Sequence, residues 1–240
     1  MLARKIVTEA VATALLLATI IGSGIMGEQL AQGNTAIALL ANTLATGAML
    51  VVLILAFGPV SGAHMNPVVT VAEALRAAIR WREVLPYIAA QVVGAYAGVA
   101  AAHVMFAKPL FFASQHARTG WPIWWSEIVA TFGLVFIILA ISRSRPAAVP
   151  FAVGAYITAA YWFTASTSFA NPAVTLGRAL SDTFAGIRPD DVAGFLVAQL
   201  VGAALACAFA KWLAGGEWRV ANGEWRKDPS VGAKPQREAS

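Results

Sequence analysis

The residues able to do chemistry concentrate in two short repeats, Asn66-Pro67-Val68-Val69-Thr70 and Asn171-Pro172-Ala173-Val174-Thr175. Asn is a strong helix N-cap and Pro fits the first helical position, so each repeat spells a helix start. The capping side chain also carries an amide that can donate hydrogen bonds, beside the positive end of a helix. Two acids, Glu9 and Glu127, open matching stretches, Glu9-Ala10-Val11-Ala12-Thr13 and Glu127-Ile128-Val129-Ala130-Thr131. His64 lies two residues before Asn66, while His103 and His116 have no partners at metal-binding spacing. No nucleophile–base pair stands out either, so neither a metal centre nor an intramembrane enzyme is expected.

The elements that must hold these groups are apolar. The chain is 59% hydrophobic and 12% charged, against about 25% charged in an average soluble domain. Six stretches, roughly 6–27, 35–57, 84–106, 123–142, 149–168 and 190–213, approach the ~20 residues a bilayer core requires. The first has Arg4 and Lys5 ahead of it, as a signal peptide would. Its length, the lack of a small-residue cleavage site and the spans that follow favour a retained helix. Residues 1–213 thus read as one membrane domain, with repeats at about 6–106 and 123–213. The polar stretch 214–240 reads as a disordered cytoplasmic tail.

The net charge of +5 comes from basic residues scattered among loops, which points away from nucleic acid. Arg4, Lys5, Arg76, Arg80, Arg82, Arg143, Arg145 and the tail cations outnumber Lys108, Arg118, Arg178 and Arg188 on the alternate side. By the positive-inside rule both termini are cytoplasmic, in a multi-pass protein of the cell (inner) membrane. The lone Cys207 falls in the last span and reads as a small buried hydrophobe.

A third pair of stretches, Ala90-Gln91-Val92-Val93-Gly94-Ala95 and Ala198-Gln199-Leu200-Val201-Gly202-Ala203, completes a repeat in one order at similar offsets. Each copy holds three spans and a short helix, about 66–79 and 171–182. Three is odd, so the second copy enters the bilayer from the opposite face, as an inverted repeat. The short helices cannot cross. They dip in from opposite sides and meet near the midplane. Irregular backbone at that depth must be buried in protein or line a water-filled cavity.

Ser61-Gly62-Ala63-His64-Met65-Asn66-Pro67-Val68-Val69-Thr70 with the second Asn-Pro-Ala resembles the aquaporin and glycerol-facilitator superfamily, the major intrinsic proteins. The resemblance covers about 9–205, including the paired Glu and Gln residues. It implies an all-α membrane fold of six transmembrane helices plus two re-entrant half-helices, one pore per subunit, and a homotetramer. Two departures stand out. Val68 replaces the usual Ala, and Val174 replaces the Arg that follows the second motif. That Arg belongs to a narrow outer filter of four positions. Counting back twenty residues from Asn66 and twelve and three from Asn171 carries the other three onto Thr46, Ala159 and Ser168. A Thr46/Ala159/Ser168/Val174 ring is wide and uncharged.

These features point to a passive channel for small neutral solutes and water, needing no cofactor. Glycerol or arsenous acid are candidates, since relatives lacking the filter Arg are linked with arsenite movement. A strictly water-selective pore is the alternative. A secondary transporter also uses inverted repeats, but no coupling-ion pair is evident. Glu9 and Glu127 are expected to accept N–H bonds from the re-entrant loops, with a proton relay or an interfacial position as alternatives. His64 could gate the vestibule or simply bond within its loop. Gly94-x-x-x-Gly98 and the matching Gly202 read as close helix packing.

Overall fold

The computed structural model describes residues 2–215, 217–221 and 224–227. Its helices are α1 (Leu2–Leu30), α2 (Thr35–Ser61), α3 (Pro67–Leu75), α4 (Trp81–Met105), α5 (Trp121–Ser144), α6 (Val149–Phe163), α7 (Pro172–Arg178) and α8 (Pro189–Leu213). The long helices alternate in direction, so α3 and α7 are reached from opposite faces. The expected architecture of six long and two short helices is present.

Membrane helices gain little from burying apolar surface against one another, because lipid is equally apolar. Close approach of small residues replaces that drive. A Cβ on Gly94 would run into the Ala10 carbonyl oxygen of α1, and one on Gly202 would lie 2.5 Å from that of Ile128 in α5. The two repeats therefore use the same glycine for the same crossing, α1 on α4 and α5 on α8. Buried Leu16, Leu17, Ile20, Leu50, Leu134, Val153 and Ile157 belong to one apolar cluster shared by the long helices. Cys207 is buried with Ala203, Ala206, Val68 and Val69 in a second cluster.

Three boundaries depart from expectation. The fifth span, expected over 149–168, ends as a helix at Phe163, where Thr164 turns extended and the chain dips back inward. At 15 residues it is too short to count as a spanning helix by length, unlike the other five. The half-helices, expected over 66–79 and 171–182, are only 9 and 7 residues long. Finally, the tail expected to be disordered carries an antiparallel hairpin, β1 (Glu217–Ala221) with β2 (Glu224–Lys227). The rest of 214–240 beyond Gly215 lies outside the described residues.

Candidate functional site

The two loops that carry the Asn-Pro motifs have the same backbone. Gly62, Ala63 and Met65 have φ of 91°, 48° and 49°, while Thr167, Ser168 and Ala170 have 61°, 50° and 47°. Left-handed conformations cost non-glycine residues roughly 1–3 kcal/mol apiece and persist only where the surroundings enforce them. Glu9 and Glu127 supply that enforcement. Glu9 is fully buried and accepts hydrogen bonds from His64 N at 2.9 Å, Met65 N at 2.8 Å, Ser61 Oγ at 2.7 Å and Gln91 Nε2 at 2.8 Å. Glu127, equally buried, accepts from Phe169 N at 2.8 Å, Ala170 N at 2.9 Å and Gln199 Nε2 at 2.8 Å. With every acid oxygen engaged by donors of the loop and its supporting Gln, the geometry is that of a structural brace.

The Gln residues extend the brace. Gln91 Nε2 also donates to Thr70 Oγ1 and Gln199 Nε2 to Thr175 Oγ1, each at 2.9 Å. Thr70 and Thr175 in turn donate to the carbonyls of Asn66 and Asn171. Residue type alone does not mark the two threonines as functional, although both sit at the fifth place of the repeated motif. That position was the available signal.

Asn66 and Asn171 are N-caps as expected. Asn66 Oδ1 accepts from Val68 N at 3.1 Å, and Asn171 Oδ1 from Ala173 N at 3.0 Å and Val174 N at 3.3 Å. Pro67 and Pro172 take the first helical positions. The amides then cross the pseudo-symmetry axis. Asn66 Nδ2 donates to Ala170 O at 2.8 Å, and Asn171 Nδ2 donates to Met65 O at 2.7 Å. The tips are thus tied together, and each amide retains a second proton.

Both asparagines line a continuous cavity of about 220 Å³. It runs from Arg76 and Ser142 toward the face of the termini, past the asparagines, to Ser168 and Arg178 toward the opposite face. Its apolar wall is written in steps of four: Leu16 and Ile20 of α1, Leu50 and Ile54 of α2, Leu134 and Ile138 of α5, and Val149, Val153 and Ile157 of α6. Such spacing keeps one helix face toward one place. Opposite that wall runs the polar strip of the two loops and the two amides. A tube with one greasy and one hydrogen-bonding side, tied at its waist by crossed asparagines at the junction of an inverted repeat, decides the family.

The chain belongs to the major intrinsic proteins. The family model for the major intrinsic protein matches residues 1–165 and 144–236. The chain is 54% identical over 212 residues to "Aquaglyceroporin AqpS" of Rhizobium meliloti (strain 1021), covering 88% of this chain and 91% of that one. It is 37% identical over 198 residues to "Aquaporin NIP2-1" of Oryza sativa subsp. japonica, where the match takes in 78% of this chain and 64% of the relative. Among solved structures, the aquaglyceroporin from Plasmodium falciparum superposes with a TM-score of 0.69 at 20% identity, over 87% of this chain and 95% of that one. As a major intrinsic protein the chain is a passive transmembrane channel for small uncharged solutes, not an enzyme.

Within this major intrinsic protein, one of the four residues assigned to the outer filter is misplaced. Thr46, Ser168 and Val174 line the cavity. Ala159 does not; it lies on the exposed outer stripe of α6, in phase with Phe151 and Ala155. Val149, Val153 and Ile157 fix the inward face, and the next residue on it is Tyr161, which lines the cavity and is 3% exposed. Tyr161 lies ten residues before Asn171 rather than twelve, because the return loop is two residues shorter than the count assumed. Its hydroxyl lies 3.5 Å from Thr46 Oγ1. An aromatic therefore stands where an Ala was expected.

Val68 is buried among Val69, Val135, Leu139 and Ala203 rather than on the cavity wall. Its extra bulk fills core space and leaves the waist unaltered. His64 lines the cavity and also bonds within its loop, with Nδ1 3.1 Å from Thr70 Oγ1 and its ring 5.4 Å from that of Tyr87.

Proposed function

We propose that this channel passes water together with small uncharged polyhydroxy solutes, glycerol and arsenous acid being the test cases. The observation that carries this is the amphipathic outer ring. Tyr161 and Val174 offer apolar surface beside the hydroxyl-bearing residues Thr46 and Ser168, all four lining the cavity. A three-carbon polyol or a trihydroxy acid presents the matching combination of faces. Val174 leaves its own position uncharged, which favours larger solutes over strict water selection. The name of the Rhizobium relative, an aquaglyceroporin, supports the same solute class.

At the waist the second amide protons of Asn66 and Asn171 hold a passing oxygen and turn bound water to point its oxygen at them, which disfavours proton hopping. Cations meet desolvation in the apolar tube and the positive ends of α3 and α7. Glu9 and Glu127 brace the loops without touching solute. The channel works as a homotetramer with a pore in each subunit, as the family resemblance implies. The excess of Lys and Arg on the face of the termini supports a cytoplasmic location for both ends in the inner membrane.

Stopped-flow light scattering on proteoliposomes tests this. Glycerol and arsenous acid should equilibrate faster than in empty vesicles. Permeabilities no greater than in empty vesicles, with water fast, would establish the water-selective alternative.

A further inference from the structure

Arg178 ends α7 one helical turn beyond Val174, and its side chain lines the cavity toward the face away from the termini. It is only 2% exposed, among the largest fully enclosed side chains of the molecule. Among the described residues it forms no ion pair. Nε donates to the Ala185 carbonyl, the guanidinium carbon stands 3.3 Å from the Phe169 ring centroid, and Nη1 is buried with no hydrogen-bond partner. A buried cation without a carboxylate is expensive. Arg keeps its charge in proteins, so its environment must stabilise the cation in some other way. Here that stabilisation comes from one carbonyl, one aromatic face and whatever fills the cavity.

Arg118 approaches the same Phe169 ring. Its guanidinium lies 5.2 Å from the same ring centroid, and Nε donates to Gly186 O at 2.8 Å. The ring thus has two cations within reach of its centroid, and Phe169 N is itself fixed by Glu127. Arg178 is therefore not a loose surface side chain that happens to reach the mouth. Its plane is set.

We propose that Arg178 is the charge-selective element of this channel's outer mouth, supplying at one turn's remove the guanidinium absent at Val174. It donates to oxygen atoms of neutral hydroxylated solutes and repels cations before they reach the asparagines. The proposal rests on the channel function given above and adds the residue that discriminates.

The test compares Arg178→Gln with Arg178→Lys in proteoliposomes, reading sodium leak and glycerol permeability in the same vesicles. Both substitutions remove the stacked plane, but only Gln removes the charge. Sodium leak should rise roughly tenfold in R178Q, the change that ~1.4 kcal/mol of barrier produces, and stay near wild type in R178K. Equal leak in both variants, or no change in either, would overturn the assignment. Should R178Q fail to insert, Val174→Glu against Val174→Gln does the same with Arg178 in place. A carboxylate four residues before Arg178 can pair with it, so V174E should leak sodium and V174Q should not; matching leaks would overturn it. Wild-type vesicles closed to both water and glycerol would instead refute the channel function itself.

Discussion

The two re-entrant arms of this molecule are near copies at the waist and unlike each other at the mouths. At the waist each loop has paired left-handed residues, a Glu that accepts its N–H groups, a Gln–Thr pair behind it and an Asn that reaches across to the other loop. At the face of the termini the charges lining the cavity are paired, Arg76 Nε lying 2.9 Å from Glu73 Oε2. At the opposite face Arg178 is stacked but has no acid among the described residues. What is duplicated builds and holds the pore. What differs faces the incoming solute.

The strongest way to break the duplicated half is to remove a brace. Glu9→Ala leaves four donors without an acceptor and Glu127→Ala leaves three. At roughly 1–3 kcal/mol per buried unsatisfied group, each loss rivals the whole stability of a domain. Both variants should lose their folded peak in size-exclusion chromatography and their thermal transition in detergent, E9A more severely. An unshifted transition in either would show that the loops hold their left-handed turns without help.

Next come the asparagines. Asn66→Ala and Asn171→Ala each remove a cap and one crossing hydrogen bond, about 1–2 kcal/mol together. Asn171 caps two N–H groups and Asn66 one, so the thermal shift should be somewhat larger for N171A. Water flux should fall in both. A large gap between the two would mean that the waist is less symmetric in energy than in geometry.

The unequal half is probed by Val174→Arg. The added guanidinium would narrow a mouth already holding Arg178, cutting glycerol permeability roughly tenfold while water falls by less than about threefold. Uniform loss for every solute would point to a blocked or misfolded pore instead.

What the sequence made legible follows the same division. The spans, the half-helix starts and the braces could be read because each was written twice, and a polar residue repeated at matching places in an apolar chain marks a duplicated structural need. Glu9 and Glu127 are the clearest case. The mouths are each written once, so no internal copy checks the assignment. Arg178 reads in sequence as an ordinary cation in the last turn of a helix; only folding reveals its burial and its missing partner. Ala159 shows a second limit. A membrane helix is apolar all round, so periodicity does not announce its inward face. Counting residues back across a loop then takes the place of phase, and a loop two residues shorter defeats the count.

That correction yields the smallest expected effect and a clean contrast. Ala159 faces outward with Phe151, so Ala159→Leu adds apolar bulk to an apolar exterior. Its stability change should stay within about 0.5 kcal/mol, and the ratio of glycerol to water permeability should match wild type. Tyr161→Ala, two residues on, removes an aromatic wall from the cavity together with the hydroxyl beside Thr46. It should widen the mouth and admit solutes longer than glycerol, such as erythritol, measured by the same light-scattering assay. The two substitutions therefore exchange predictions according to which residue belongs to the filter. If A159L altered solute preference and Y161A did not, α6 would have to be rotated by about half a turn in the membrane, and the pairing of Tyr161 with Thr46 would be lost.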